Sequence, residues 1–571
     1  CVILVFSPGI QSAQPAVDEI AVTFPDGYTQ PSISVAMGGE GEYAATVTIS
    51  CGTGALAQAG TAFECVRTFT GVANGDSVSA LADFYPNPGE QVYVKVEVSA
   101  VGASDVTESA DKPAEGQLPA FVGHGGDPAQ VIHVRDGATG KATGRNWADA
   151  YPDFRAALKR LADENDVRGE LWYCGSNTLT KASEETVKPL RTAVIRGGFT
   201  GVEDSTAARA AGAKSTIDGE GLYGTFVLNN AAGFTVDGFR FINSSASGIR
   251  KTGAGDLVVS NCEFEANGLP SANVTGRAVN ATGDGEASCL TLSNCRIARH
   301  RTNDNEAAPT LLIQSFARAT VADCLVISNR CQEGIVQSNG HGAALRVVNT
   351  LLDLRGTRFV ANQGMIGHNG GKGALSDSGG IVSIQGACGG STIANCLWAA
   401  NQVIDGSSNN TDPDKTAGSL VIALNDPSAT VTVRNCTFAG NFYCRDAATS
   451  GLSVKAGTVD VVDSIFYGNL ASTKGKFPGH AAVRDLRVAA GATARVRYTL
   501  FADDTGCFTE EGGTLTRENC RADDPRFVTT TSVASCLNAS GESFDAAKWN
   551  EFAKFNVHVR DRHGYTDEFT G

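Results

Sequence analysis

The side chains best placed to do chemistry in this 571-residue chain are its carboxylates, 61 Asp and Glu against 46 Lys and Arg, for a formal net charge of −15. Proton abstraction beside a substrate carboxylate needs acids clustered around a divalent cation on one face, with an Arg or Lys as base. Glu263, Glu265, Arg296 and Arg299 come closest. Leu325, Arg358, Leu397 and Thr437 hold the matching positions downstream, and that mixture reads as a solvated face with ion pairs across neighbouring strands. Acetal hydrolysis by two carboxylates needs Asp residues spaced around a bond and a water. Asp503-Asp504 and Asp523-Asp524 are adjacent pairs late in the chain, and His341, in Gly340-His341-Gly342, reads as a turn residue. The insert Asp405 to Lys415, DGSSNNTDPDK, has a composition that suits Ca2+. It lacks the spacing and closing Glu of an EF-hand loop, so a polar surface loop is expected. No catalytic, cofactor-binding or metal-ligating residue is assigned from the sequence, and Ca2+ is the one ion it invites.

The elements that must position these residues belong to a repeat. The template V-x-N-C-x-F-x-x-N recurs nine times, with clear copies beginning at Val259, Leu292, Val321, Leu354, Ile393, Val433 and Val461 and weaker ones at Val236 and Val496. Val259 and Cys262 are both apolar but three residues apart, so a straight strand would place them on opposite faces. The chain must turn a corner at Asn261. A single left-handed residue makes such a corner, and Asn294, Asp323, Gly356, Asn395, Asn435 and Asp463 at the same position all suit that conformation. Further apolar runs, TLLIQS, ALRVVNT, GIVSIQG, SLVIAL and GLSVKAG, supply a third face. The predicted fold is all-β: a right-handed parallel β-helix of about ten coils over residues 220–527. Cys262, Cys295, Cys324, Cys396 and Cys436 then share one inward packing column with Thr357, Ser464 and Thr499. Asn267, Asn329, Asn362, Asn401, Asn441 and Asn469 form a second column at the next turn, where stacked amides satisfy one another.

Upstream, residues 1–14 read as a signal-peptide remnant or a lipid-anchor region. Residues 15–110 alternate with period two and have the size of a small β-sandwich. Cys51 and Cys65 lie within it, either as a disulfide or as core residues. A Pro/Gly-rich linker covers 111–128. Residues 129–219 make the N-terminal cap and first strands of the rod, with an amphipathic helix marked by Trp147, Ala150, Phe154, Leu158 and Leu161. Residues 528–571 read as irregular. Hydrophobics at 42%, charged residues at 19% and an acidic balance exclude a disordered polyelectrolyte and a nucleic-acid binder. Membrane contact is expected only through an anchor outside these residues.

In-register Phe264 with Asn267, Phe359 with Asn362, Phe438 with Asn441 and Phe466 with Asn469, together with Gly379-Gly380-Ile381-Val382, resemble the F-x-x-N repeats of the chlamydial polymorphic outer-membrane proteins and related bacterial surface β-helix proteins. The opening segment, Asn146 to Ala150, then Ile195 to Asp204, Arg209 and Thr216 to Gly219, is similar to that group as well. Asn87-Pro88-Gly89 followed by Tyr93, Val94, Val96 and Val98 resembles a fibronectin type III strand. The resemblance implies an extracellular or outer cell-surface protein without catalytic activity: a rod presenting loops for adhesion or glycan binding, with a surface glycan or a host or neighbour-cell protein as partner. The alternative is a polysaccharide lyase or glycoside hydrolase acting on an acidic polysaccharide.

Overall fold

The computed structural model describes residues 14–23, 31–53, 62–82, 92–101, 106–109, 131–140, 142, 144, 146–161, 169–178, 185–187, 192–220, 226–229, 232–244, 247–267, 277–302, 309–331, 344–366, 378–405, 416–446, 449–472, 481–510 and 512–525. The chain divides into two compact units, Cys1–Trp172 and Tyr173–Gly571.

The first unit opens with seven antiparallel strands: β1 (Gln14–Thr23), β2 (Ser32–Glu40), β3 (Ala45–Thr53), β4 (Cys65–Val72), β5 (Ser77–Leu81), β6 (Val92–Ala100) and β7 (Val106–Ser109). They form two sheets, ordered β1-β2-β5 and β4-β3-β6-β7. Alternation decides the core. Ile33, Val35 and Met37 from one sheet meet Val47, Ile49, Val94, Val96 and Val98 from the other in a single buried cluster, while the intervening polar residues face outward. Five strands follow the alternating runs of the sequence. β4 and β7 lie outside those runs.

Strand β8 (Val131–Arg135) and helix α1 (Phe154–Arg160) follow. The expected helix is shorter than its apolar spacing suggested. Asp153 caps it, its carboxylate accepting the Arg155 N–H at 2.9 Å, and Pro152 disfavours helix at Tyr151. Trp147 and Ala150 are buried all the same, from a turn rather than from a helix face.

The second unit is a right-handed parallel β-helix. Sheet I runs from Ala193–Arg196 through Leu257–Ser260 to Thr514–Glu518, sheet II has twelve strands from Ser176–Thr178 to Arg521–Ala522, and sheet III has eleven from Glu185–Val187 to Cys507–Thr509. The corner between sheets I and II lies where the sequence puts it. Asn261, Asn294, Asp323, Asn395, Asn435 and Asp463 have φ of 50–54° and Gly356 has 57°. Gly356 is constrained on a second count, since a Cβ there would stand 2.1 Å from the Asp323 carboxylate. A second left-handed corner falls two residues after the inward aromatic position, at Asn243, Ala266, Arg299, Ser328, Ala361 and Ala400 with φ of 53–61° and at Gly440 and Gly468 with φ of 62 and 65°. Asn and Gly suit that conformation, but the Ala, Arg and Ser residues do not announce it. A coil stacked on its neighbours over-determines the backbone there, and Ala and Ser tolerate a cost of about 1–2 kcal/mol.

Stacking then fixes the columns. Phe359, Trp398, Phe438, Phe466 and Phe501 lie ring on ring with centroids 4.6–5.4 Å apart, an offset-stacked arrangement contributing about 0.5–1.5 kcal/mol per pair beyond burial. The cysteine column is buried as expected, all thiols free. Cys520 extends it by one coil, its Sγ 3.5 Å from the Val496 carbonyl.

Candidate functional site

Two asparagine ladders run along the rod, one inside and one at the outer corner. In the inner ladder Asn329, Asn362, Asn401, Asn441 and Asn469 are each no more than 1% exposed. Asn329 donates from its backbone N–H and its Nδ2 to the Asn362 Oδ1 at 3.1 and 2.9 Å. Asn362 does the same to Asn401, Asn401 to Asn441, and Asn441 to Asn469. The second Nδ2 hydrogen goes to a carbonyl one coil back, as from Asn401 to Phe359 at 2.8 Å. Every amide is therefore satisfied without water, the condition under which a buried polar column stabilises rather than costs.

The ladder ends on Asp485. Asn469 Nδ2 donates to its Oδ1 at 2.8 Å, the residue is fully buried, and its Oδ2 has no partner among the described residues. Burial pushes this carboxyl up to about 7 against the Asn469 hydrogen bond, which favours the charged form, and Asp503 nearby raises it further. Asp485 lies outside the repeat template, so the sequence gives no sign of it.

The outer ladder runs the other way. Asn294 Nδ2 donates to Asn261 Oδ1 and Asn261 Nδ2 to Asp237 Oδ1, both at 2.6 Å. Asp237 also accepts from Ser260 at 2.8 Å and from Arg209 at 2.6 Å, with Arg196 at 3.5 Å. Burial opposes its charge, but the bonds from Asn261, Arg209 and Ser260 outweigh it and hold the carboxyl below the usual range.

The acidic residues singled out from the sequence are drawn into similar structural bonds. Glu265 pairs with Arg299 one coil on, as expected, and with Arg240 one coil back at 2.6 Å. Glu263 is 3.6 Å from the same Arg240. Glu265 is not part of a solvated face, however: only 5% of it is exposed, because the second corner folds the chain over that position. Arg296 stands in register beside Glu263. Asp503 caps a short 3-10 turn by accepting the Thr505 N–H at 2.7 Å, and Asp504 pairs with Arg517 at 2.8 Å. Asp523 accepts the Asp524 N–H. These pairs are turn locks, not two acids flanking a bond. Lys251 occupies an inward core position of sheet III, and its Nζ donates to the Gly253 and Thr252 carbonyls at 2.6 and 3.2 Å. Burial lowers its pKa. Among the described residues no cluster of three or more His, Cys, Asp or Glu is arranged to hold a metal.

The longest variation from coil to coil falls at one edge. The corner between sheets I and II keeps its two residues, as at Asn261-Cys262. The long stretches fall before sheet III: Asn267 to Val279, Thr302 to Leu311, Cys331 to Leu345, Ile366 to Ser378 and Asp405 to Thr416. His341 and residues 406–415 of the acidic insert belong to these stretches and lie outside the described residues.

No protein-family model and no curated protein matches the chain. Two solved structures are similar to it over most of their length. One is the catalytic domain of a GH87 α-1,3-glucanase in complex with tetrasaccharides, at 10% identity and a TM-score of 0.24, covering 89% of this chain and 97% of that one. The other is the Agl-KA catalytic domain, at 11% identity and a TM-score of 0.25, covering 89% and 96%. No residue role is carried over at these scores.

Proposed function

We propose that this chain is an exported, cell-surface β-helix that engages glycans through the inserts along one edge of its rod. The observation that supports this reading is that the longest stretches between strands fall repeatedly before strands of sheet III, on a scaffold whose buried polar groups are committed to structure. Rigid scaffolds with variable loops on one side are the usual arrangement for recognition. The F-x-x-N register points the same way, and the two packed sheets β1-β2-β5 and β4-β3-β6-β7 are compatible with a fibronectin type III-like module. The second reading is a polysaccharide lyase or glycoside hydrolase with its acids on the same inserts. It draws on Asp412, Asp414 and His341, which lie outside the described residues.

One experiment separates them. The full chain, and a variant with residues 406–415 replaced by a Gly/Ser linker, are passed over immobilised uronic-acid polysaccharides and α-1,3-glucan, with and without Ca2+. Retention, new reducing ends and unsaturated-product absorbance are followed together. The binding reading expects retention on at least one polymer without product, weakened at least tenfold in the variant while its far-UV spectrum is unchanged. Sustained product release would replace it with the catalytic reading. Absence of retention on every polymer would overturn both.

A further inference from the structure

We infer that Cys51 and Cys65 form a cross-strand disulfide that staples edge strand β4 to β3, whereas the cysteines stacked along the rod stay thiols. Both are thiols in the structure, but they are direct partners in the antiparallel β3–β4 register and are 0% and 2% exposed within the sandwich core. Residues opposite one another in an antiparallel pair have Cα atoms about 4.5–5.5 Å apart and side chains on the same face, inside the roughly 4.4–6.8 Å range of disulfides. Burial, and then the charge and hydrogen bond of Cys65, raise the Cys51 thiol. A thiol held in that state is poorly reactive once the core has closed, so the bridge forms as the sandwich folds.

The rod cysteines are just as close in sequence of coils but differently related. Cys262, Cys295, Cys324, Cys396 and Cys436 each place Sγ 3.1–3.2 Å from the carbonyl two residues back and 3.7–3.8 Å from one in the preceding coil. Equal contacts mean equal rotamers repeated by translation, so their Cβ–Sγ bonds are parallel. A bridge between two of them would have a dihedral near zero, far from the ±85–100° that a disulfide requires. Strands that run antiparallel are related by rotation, and that geometry permits the required dihedral.

The oxidant is a small-molecule or protein disulfide. One cysteine thiolate attacks a sulfur of that disulfide and releases the first thiol; the second cysteine thiolate then attacks the mixed disulfide and releases the other. Two thiols lose two protons and two electrons, and the oxidant is reduced to two thiols.

The test refolds the full chain in oxidised and reduced glutathione, alkylates it after unfolding, and cleaves after Glu64, which lies between the two cysteines. The expected map shows the fragments carrying Cys51 and Cys65 joined until reductant is added, with Cys262, Cys295, Cys324, Cys396 and Cys436 all alkylated. Melting of the sandwich should fall by several degrees on reduction, and Cys65→Ala should abolish that redox dependence. Alkylation of both Cys51 and Cys65 after oxidative refolding would overturn the inference, as would bridges within the rod column. The map on the unmutated chain decides the matter even if the Cys65→Ala chain folds poorly.

Discussion

The two ladders end on the same residue type in opposite electrostatic states. Asp237 and Asp485 are both buried and both accept from an asparagine amide. Asp237 also has Arg209, Arg196 and Ser260, and it stays ionised. Asp485 has no cation among its described partners, one oxygen without a hydrogen bond, and Asp503 nearby. Burial alone therefore does not set the charge of a buried carboxylate. Desolvation raises both, but the arginine and hydroxyl donors on Asp237 offset it, whereas the Asn469 amide and the Ala502 backbone do not offset the deeper burial of Asp485.

The harshest way to break the comparison is to cut the inner ladder before its end. Asn441→Ala removes the acceptor for two Asn401 donors and the donor to the Trp398 carbonyl. Orphaned buried groups at about 1–3 kcal/mol each should destabilise the rod by roughly 5 kcal/mol. Denaturant unfolding followed by near-UV circular dichroism reads this directly, and a loss under 1 kcal/mol would mean that the amides are not bonded in series.

The charge state of Asp485 gives the next largest effect. Its folded value of about 7 lies above the ordinary 3.8, so its contribution to stability is full below 3.8 and is lost as pH rises through about 7. The swing is on the order of 4 kcal/mol. Asp485→Asn should flatten that part of the profile: less stable than the parent near pH 4, where an amide hydrogen replaces the unpartnered oxygen, and equal or more stable above pH 8. Parallel profiles for parent and variant would show that the carboxyl is ionised in the fold.

Asp237→Asn is the milder counterpart. It leaves Arg209 and Arg196 without their anion, at a cost of about 2 kcal/mol near neutral pH, since both arginines keep some solvent. Because the folded value of Asp237 is depressed, its contribution is present above the usual carboxylate range and lost as pH falls, opposite in sign to Asp485. A variant that loses as much at pH 3 as at pH 7 would contradict that assignment.

Legibility followed repetition. The outer corner could be read because Asn261 and its equivalents carry residue types that favour left-handed backbone, and the Phe and Cys columns because each recurs in register. The second corner was legible only at Asn243, Gly440 and Gly468: Ala266, Ala361 and Ala400 at the same position are ordinary helix and strand residues, held at positive φ by the coils above and below. The helix start was displaced because apolar spacing does not distinguish a buried turn, Trp147 to Ala150, from a buried helix face.

The sequence by itself determined the all-β class, the coil template and the asparagine and cysteine columns, since each is a local preference repeated along the chain. Only the tertiary structure decided which carboxylates are bonded: that Glu265 is covered, that Arg240 reaches forward to it, that Asp237 collects two arginines, and that Asp485 closes the inner ladder with one oxygen unpartnered among the described residues. Those outcomes depend on which side chains meet across coils dozens of residues apart. Each meeting is a one-time event, which leaves no period to read.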